Sequence, residues 1–259
     1  MLKSLMTVTV FAVSAALSSA QSINIDFGEG GFTPASTYAG AGRAGVWNEI
    51  GVMPTSQGFN LLGLNGQPVI AAVYNIGGSA LLSANNPATT GNDERLMDDM
   101  FLSFNNPVDL CLFFENLWHG DYEVICYAMT PDNASLMSRV RVDFANPGPV
   151  MVGGAWPGVH AEGVTFSRHT VTVTDGRLNP HSGLFGGVIQ SGLNGVQLLY
   201  LGPCAGDANG DHVVNFADLN AVLSNFGQIG AGLVGDVNND GVVNFADLNV
   251  VLSAFGSAC

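Results

Sequence analysis

Short stretches of alternating hydrophobic and polar residues recur through most of the chain. Alternation of this kind puts every second side chain on one face of a β-strand, and it is most regular at residues 139–143 and 170–174. The pattern predicts eight strands, at residues 23–27, 69–74, 100–104, 111–114, 122–128, 139–144, 165–173 and 195–201. Because no helical pattern separates these strands, we expect a mostly β fold in which two sheets pack as a jelly-roll-like sandwich.

The hydrophobic period lengthens to that of an α-helix near the carboxyl end of the chain. Two similar segments there place apolar residues on one helical face, and each segment ends at a glycine suited to a helix C-terminus. The apolar positions are Phe216, Leu219, Val222, Leu223 and Phe226 in the first segment, and Phe245, Leu248, Val251, Leu252 and Phe255 in the second. No other helix pattern precedes either segment, so the two predicted helices have to pack against each other as a small all-α module.

Each predicted helix follows a loop with oxygen-bearing side chains at positions 1, 3, 5, 9 and 12, the spacing of an EF-hand calcium loop. A backbone carbonyl at position 7 completes the set. The predicted ligands are Asp207, Asn209, Asp211, Val213, Asn215 and Asp218 in the first loop, and Asp236, Asn238, Asp240, Val242, Asn244 and Asp247 in the second. Hard oxygen donors in this order predict two Ca²⁺ ions, one in each loop.

The distribution of charge supports the same assignment. The segment from Cys204 to the end contains six acidic residues and no lysine or arginine, and all six are predicted loop ligands. Crowded carboxylates repel one another unless a cation neutralises them. The alternative, a solvated acidic face, gives no reason for the acidic residues to fall only at ligand positions.

The duplicated Gly-Asp-x-Asn-x-Asp loop, followed by Asn-Phe-Ala-Asp-Leu, resembles the type I dockerin module. The resemblance covers residues 206–256 and implies calcium-dependent docking onto a cohesin-like protein domain. It implies that the partner contacts Phe216, Ala217, Leu223 and Ser224 of the first copy, and Phe245, Ala246, Leu252 and Ser253 of the second. The copies agree at all of these positions, which implies that either helix can present the same surface.

The sequence departs from the dockerin pattern in two respects. Position 6 of the first loop is His212, where the second loop has the usual glycine, Gly241. A positive φ costs a non-glycine residue on the order of 1 kcal/mol, so we expect the first loop to bind calcium more weakly. The docking positions carry Phe-Ala instead of the hydroxyl pair common in cellulosomal dockerins, which leaves the cohesin specificity open.

Composition narrows the classes of function. The 259 residues include 7 Lys and Arg against 21 Asp and Glu, and this acidic balance argues against nucleic acid as a partner. Lys3 is the only lysine and lies in a predicted signal peptide, which excludes a Walker A loop and Schiff-base chemistry after cleavage. The sequence also lacks the common metalloprotease, hydrolase and dinucleotide-binding motifs, so we predict no catalytic residues.

Residues 1–20 have the features of a secretory signal peptide, with Lys3, an apolar run over residues 6–17 and small residues at 18–20. The apolar run is shorter than the roughly 18 residues of a membrane-spanning helix. We expect cleavage before Gln21 and a secreted or surface-associated protein without a membrane span. The expected divisions are the signal peptide at 1–20, a β-sandwich domain at 21–203 and the calcium module at 204–259.

An exported chain meets an oxidising environment, so its four cysteines predict two disulfides. Among the three possible connectivities we favour Cys204 with Cys259, which would join the ends of the calcium module. The other pair is then Cys111 with Cys126, across a hairpin between two neighbouring predicted strands. Free buried thiols are the alternative for Cys111 and Cys126.

Three short segments resemble galactose-binding-like β-sandwiches: Ile-Asp-Phe-Gly at 25–28, Gly-Asp-Tyr-Glu-Val at 120–124 and Asn-Gly-Val-Gln-Leu at 194–198. The resemblance implies a carbohydrate ligand held by aromatic stacking and by polar side chains from loops. The candidate aromatic residues are Trp47, Trp118 and Trp156, and the candidate polar partners are Asp121, Arg168 and His181. The alternative is that all three tryptophans belong to the core, and we expect the histidines to lie at the surface.

Three functions remain open at this point. The first is a secreted non-catalytic protein whose sandwich binds a polysaccharide or serves as a structural unit, and whose calcium module docks it to a partner. The second is a polysaccharide-active enzyme, a glycoside hydrolase or esterase, although the acidic residues of the sandwich show no spacing that marks a catalytic pair. The third is a purely structural cell-surface protein.

Overall fold

The computed structural model describes residues 21–51, 59–77, 80–104, 109–184, 190–211, 213–230, 233–238 and 240–257. The predicted signal peptide, His212 and Cys259 lie outside these residues. The described chain divides into two compact units, one ending at Cys204 and the other running from Ala205 to Ser257. Among the helices described, none has the length and apolar character needed to cross a membrane.

The first unit consists of fourteen described strands and a short helix. The strands are β1 (Ile23–Phe27), β2 (Trp47–Ile50), β3 (Phe59–Leu62), β4 (Pro68–Ile76), β5 (Ala80–Ser83), β6 (Asp99–Phe104), β7 (Leu110–Glu115), β8 (Gly120–Tyr127), β9 (Met137–Val142), β10 (Val150–Gly153), β11 (Phe166–Val173), β12 (Pro180–Gly183), β13 (Gln190–Leu193) and β14 (Gly195–Gly202), and the helix is α1 (Asn92–Met97). They form three sheets with the orders β11-β8-β14-β1-β2, β10-β9-β12-β7-β4-β3 and β13-β6-β5. The predicted mostly β fold is confirmed.

The two larger sheets share one hydrophobic core. Ile25 of β1 and Val124 of β8 belong to the same buried cluster as Phe114 of β7. Along β9 the burial alternates, so that Val140 is buried and Arg141 is partly exposed. The alternation read from the sequence therefore describes how each sheet presents one face to the core.

The predicted hairpin between the strands that carry Cys111 and Cys126 is wrong. β7 pairs with β4 and β12, whereas β8 pairs with β11 and β14 in the other sheet. Phe114 and Tyr122 both belong to the shared core, so the chain crosses from one sheet to the other between these two strands. Alternating hydrophobic and polar residues identify a strand and its inward face. The same alternation is found whether two strands pair in one sheet or face each other across the core, so it does not show which strands are neighbours.

Six strands were not predicted, namely β2, β3, β5, β10, β12 and β13, and each has four residues. A strand of this length has only two residues on each face, too few for a period of two to be recognised. One predicted strand ends early, because β9 stops at Val142. Phe144 follows in a turn, with a φ of 60° and a fully exposed side chain.

The second unit contains the two predicted loop-helix repeats, with α2 at Phe216–Ser224 and α3 at Phe245–Ser253. Val222 of α2 and Val251 of α3 are fully buried. The repeats also exchange backbone hydrogen bonds, because Gly227 N–H donates to the Val243 carbonyl and Gly256 N–H donates to the Val214 carbonyl, both at 2.8 Å. Each repeat thus covers the other through equivalent contacts.

Candidate calcium centre

Each loop of the second unit brings three aspartate side chains together. Carboxylate oxygens of Asp207, Asp211 and Asp218 all lie within 4.8 Å of one another. Asp236, Asp240 and Asp247 form the same arrangement in the second loop. In both loops the first and last aspartates are buried and the middle one is exposed. Three carboxylates at this spacing, with only oxygen donors around them, fit the chemistry of a Ca²⁺ ion.

The aspartate at position 12 of each loop also begins the following helix. Asp218 accepts hydrogen bonds from the backbone N–H groups of Ala208 (2.8 Å), Asn209 (3.2 Å) and Asn215 (2.8 Å). The last of these forms a capping box, in which the Asn215 side chain caps the first turn of α2. Asp247 and Asn244 repeat the capping box at α3. One carboxylate therefore connects the loop to the helix.

The remaining predicted ligands lie on the same loops. Asn209 Nδ2 donates to Asp211 Oδ2 (2.9 Å), and the Val213 carbonyl accepts from Asn215 Nδ2 (3.0 Å). The second loop repeats these contacts between Asn238 and Asp240 (3.0 Å) and between Val242 and Asn244 (3.0 Å). Asn215 Oδ1 is engaged as the helix cap, which fits the water-mediated role that position 9 often has in EF-hand loops.

A glycine at the start of each loop presses against the helix of the other repeat. Gly206 and Gly235 have φ values of 92° and 93°. A Cβ atom on Gly206 would lie 3.2 Å from Val251 Cα, and one on Gly235 would lie 2.9 Å from Val222 Cα. No side chain fits at either position without displacing the backbone of the facing helix, and both φ values favour glycine.

All eight residues predicted to contact a partner are exposed, namely Phe216, Ala217, Leu223, Ser224, Phe245, Ala246, Leu252 and Ser253. The exposed fraction reaches 72% for Phe216 and 70% for Phe245. Each of these rings packs edge-on against the phenylalanine after the other helix, at 5.0 Å for Phe216 with Phe255 and 4.9 Å for Phe245 with Phe226. Large apolar side chains exposed together are typical of interaction surfaces.

The predicted disulfide between Cys111 and Cys126 is wrong, because both thiols are free and buried. Cys126 points into the shared core, whereas Cys111 Sγ lies 3.5 Å from His181 Nε2. The two strands belong to different sheets, so the thiols do not meet. Burial raises the pKa of each thiol to about 12, and both stay protonated near neutral pH. The pairing of Cys204 with Cys259 stays a prediction, since Cys259 lies outside the described residues.

The three tryptophans lie in separate places. Trp47 is 5% exposed within a second hydrophobic cluster, so it is a core residue. Trp118 is partly buried and packs edge-on against Tyr200 at 5.6 Å. Trp156 is partly buried on the second cluster and packs edge-on against His160 at 5.3 Å.

The candidate polar partners do not converge on one site. Asp121 accepts a hydrogen bond from a threonine hydroxyl of β11 (2.6 Å), and Arg168 forms an ion pair with Glu123 of β8. His181 Nε2 lies 3.0 Å from Asp143 Oδ2. Each side chain is satisfied by its own neighbour, so the three do not form a shared ligand site.

A pocket of about 390 Å³, which the sequence did not indicate, lies beside the second hydrophobic cluster. Tyr38, Asp93 and His160 line it. Tyr38 Oη donates to Asp93 Oδ1 and lies 2.6 Å from His160 Nε2, and His160 Nδ1 lies 3.2 Å from Thr165 Oγ1. Burial lowers the pKa of His160, although Asp93 opposes the shift, so the imidazole is neutral near neutral pH.

The expectation that the histidines lie at the surface is wrong for His160, His169 and His181. The side chain of His160 is 8% exposed, and His169 and His181 are buried. Tyr38, Asp93 and His160 come from three distant segments with no motif around them. Only the tertiary structure brings their side chains together.

No known protein-family profile matches the chain, and no curated protein sequence does. Solved structures similar to it include protein YXIM from Bacillus subtilis, with 16% identity, a TM-score of 0.38, and coverage of 70% of this chain and 40% of that one. Bacteroides uniformis β-glucuronidase has 14% identity and a TM-score of 0.36, covering 60% and 20%. The ANX1 ectodomain from Arabidopsis thaliana has 12% identity and a TM-score of 0.33, covering 56% and 54%. The chain spans less than two thirds of each of these proteins, and such low scores support no argument about function.

Proposed function

We propose that the chain is a secreted, non-catalytic protein whose second unit is a calcium-dependent docking module. The observation that carries this proposal is the repeated cluster of three carboxylates, Asp207 with Asp211 and Asp218 and its copy in the second loop. No lysine or arginine follows Cys204 in the sequence, and this supports bound cations as the source of the neutralising charge. A disulfide between Cys204 and Cys259 would close the module.

The docking surface of this proposal is the exposed face of the two helices. Bound calcium would keep the loops ordered, and the capping boxes connect the loops to α2 and α3. Phe216 and Phe245 are the first residues of these helices, and both are exposed. The two halves offer the same side chains in equivalent surroundings. We propose a cohesin-like domain as the partner, bound by either half.

Replacing both exposed phenylalanines is expected to abolish docking without removing calcium. Buried aromatic anchors often contribute 2 kcal/mol or more, so Phe216→Ala with Phe245→Ala should weaken binding by about 30-fold or more. Each single variant should keep most of the affinity, because the other half remains intact. The measurement is binding of the full chain to a panel of immobilised cohesin domains by interferometry, in calcium and in EDTA.

The matched control is Phe32→Ala, which removes a 64% exposed phenylalanine from the first unit and should leave binding unchanged. Calorimetric calcium titration of the double variant checks that its loops still bind the ion. The docking assignment is overturned if the calcium-loaded wild type binds no cohesin domain, or if the double variant binds as tightly as the wild type.

A second candidate function is carbohydrate binding by the pocket of Tyr38, Asp93 and His160. Carboxylate, phenol and imidazole groups converge there, and the aromatic rings of Phe166 and Trp156 lie beside them. Hydroxyl-rich ligands bind through such polar groups next to apolar ring faces. Among the described lining residues Asp93 is the one carboxylate, whereas glycoside hydrolysis uses a pair, so binding fits this pocket better than catalysis.

A glycan array distinguishes between the two remaining hypotheses for the β-sandwich, which are that it binds a glycan or that it is a structural unit. We expect the full chain to bind one class of glycan, Trp156→Ala to lose at least about 10-fold in affinity, and Trp118→Ala to bind like the wild type. The two variants remove the same type of side chain, and of these two tryptophans it is Trp156 that packs against His160. An array without signal, or equal loss in both folded variants, would contradict a saccharide site in this pocket.

A further inference from the structure

The hydrogen bonds of the pocket formed by Tyr38, Asp93 and His160 all run in one direction. Burial and a hydrogen bond to Asp93 raise the pKa of Tyr38, so its hydroxyl keeps the proton that it donates to Asp93 Oδ1. The 2.6 Å contact between Tyr38 Oη and His160 Nε2 therefore needs a proton on Nε2. Because a neutral imidazole has a single N–H group, His160 Nδ1 accepts from the Thr165 hydroxyl (3.2 Å). This series of donors ends at the Asp93 carboxylate.

The Asp93 carboxylate is able to accept a further hydrogen bond. Asp93 belongs to α1 and lines the pocket, and its side chain is 34% exposed. Tyr38 donates to Oδ1, and in the part of the chain that the structure describes no group donates to Oδ2. The protons of Tyr38 and His160 are already donated within the series, so neither residue has one left for a ligand. The pocket therefore suits a ligand group that donates hydrogen bonds.

The negative charge of Asp93 has no cationic partner among the described residues. The one basic side chain described within 4 Å of its carboxylate is His160, at 3.5 Å, and burial lowers the pKa of that imidazole and favours its neutral form. No lysine or arginine is among the described lining residues. Arg168 is paired with Glu123, and Arg95 of α1 donates to a backbone carbonyl (3.2 Å). The pocket therefore attracts a positively charged group.

Aromatic rings surround the polar groups of this pocket. Tyr38, His160 and Phe166 are among its lining residues, and the rings of His160 and Phe166 lie 6.4 Å apart. Trp156 packs edge-on against His160 from the other cluster residues at 5.3 Å. Aromatic faces attract cations as well as the apolar faces of sugar rings. A carboxylate among such rings suits an ammonium group on an organic ligand better than a metal ion, which prefers several oxygen donors.

We propose that this pocket selects a saccharide that carries a protonated amino group, and that the ammonium donates to Asp93 Oδ2. The inference rests on the proposed carbohydrate binding by the same pocket and names the class of ligand. A hydrogen bond between charged groups is roughly twice as strong as one between neutral groups, so the ammonium is favoured over a hydroxyl. An acetylated amine loses the charge, and a uronic acid brings a second carboxylate that Asp93 repels.

The test compares three tetrasaccharides that differ only in the substituent at C2, namely those of glucosamine, glucose and N-acetylglucosamine in the same linkage. Their dissociation constants for the full chain are measured by calorimetry at about pH 6, below the pKa of amines. We expect the glucosamine form to bind about 10-fold or more tightly than either of the others. Asp93→Asn should abolish this preference, because asparagine keeps an acceptor for the Tyr38 hydroxyl but has no charge.

The matched control is Asp132→Asn, which removes an exposed carboxylate that does not line the pocket and should keep the preference. The control is needed because the chain is acidic overall and attracts cationic sugars non-specifically, an effect that both variants would share. Asp93→Ser serves as the second probe if Asp93→Asn does not fold.

Two kinds of failure are distinguishable. Equal binding of the three sugars, or a preference that survives in the Asp93 variants or is lost equally in Asp132→Asn, overturns this inference and leaves carbohydrate binding by the pocket intact. Binding of none of the three sugars also overturns it. The glycan array then shows whether the pocket binds another saccharide or whether the proposed carbohydrate binding fails as well.

Discussion

Chelation of calcium is expected to unfold the second unit while the β-sandwich keeps its own thermal transition. Without an ion, the three carboxylates of each loop repel one another within 4.8 Å, and the unit has no lysine or arginine to offset them. Free calcium at 100 times the dissociation constant adds about 2.7 kcal/mol per site, or about 5 kcal/mol for two. A unit with so small a core depends on that contribution.

The measurement is thermal unfolding of the full chain by calorimetry and circular dichroism, in EDTA and after calcium is restored. We expect the second unit to give the transition at lower temperature. This lower transition and part of the helical circular-dichroism signal should disappear in EDTA. Both should return with calcium but not with the same concentration of magnesium. Asp218→Asn with Asp247→Asn should mimic EDTA, and Asp132→Asn should not. If the helical signal and the thermal transition of the second unit are unchanged in EDTA, the calcium assignment is contradicted.

Gly235→Ala is expected to destabilise the second unit by about 3 kcal/mol. The left-handed backbone at this residue, with a φ of 93°, costs alanine about 1–2 kcal/mol. The new methyl group would also lie 2.9 Å from Val222 Cα, and such overpacking costs about 1–3 kcal/mol. In a unit of this size the lower transition should fall by more than about 10 °C in saturating calcium.

Gly227→Ala is the matched control for this prediction. Its φ of 83° imposes a similar backbone cost, but a Cβ atom there meets no described atom within 4 Å. We expect a loss of only about 1 kcal/mol. Equal losses at Gly227 and Gly235 would show that backbone conformation alone decides the effect, and that the close packing of the loop on α2 contributes nothing.

The local features of this protein could be predicted from its sequence. The loop ligands are separated by fixed short spacings, so Asp207, Asp211 and Asp218 come together whatever the rest of the chain does. The long strands could be recognised for the same reason, since alternation in β11 is a property of consecutive residues.

The features that depend on which strands become neighbours could not be predicted. The pairing of Asp26 with Glu49 needs the parallel register of β1 and β2, which no periodicity encodes. Cys111 and Cys126 are close in sequence but separate because β7 and β8 enter different sheets. Long-range contacts are set by the sum of many weak packing preferences, so short sequence patterns do not reveal them.

The exchange of equivalent contacts between the two repeats resembles the interface of a symmetric homodimer. Gly206 lies against Val251 of the other repeat, and Gly235 lies against Val222, as two identical subunits would contact across a two-fold axis. A chain with one repeat could cover its apolar face only by pairing with a second molecule. Fusing two copies removes the concentration dependence of that step, because the partner is always present on the same chain. A chain that contains both repeats therefore keeps this assembly intact at any dilution.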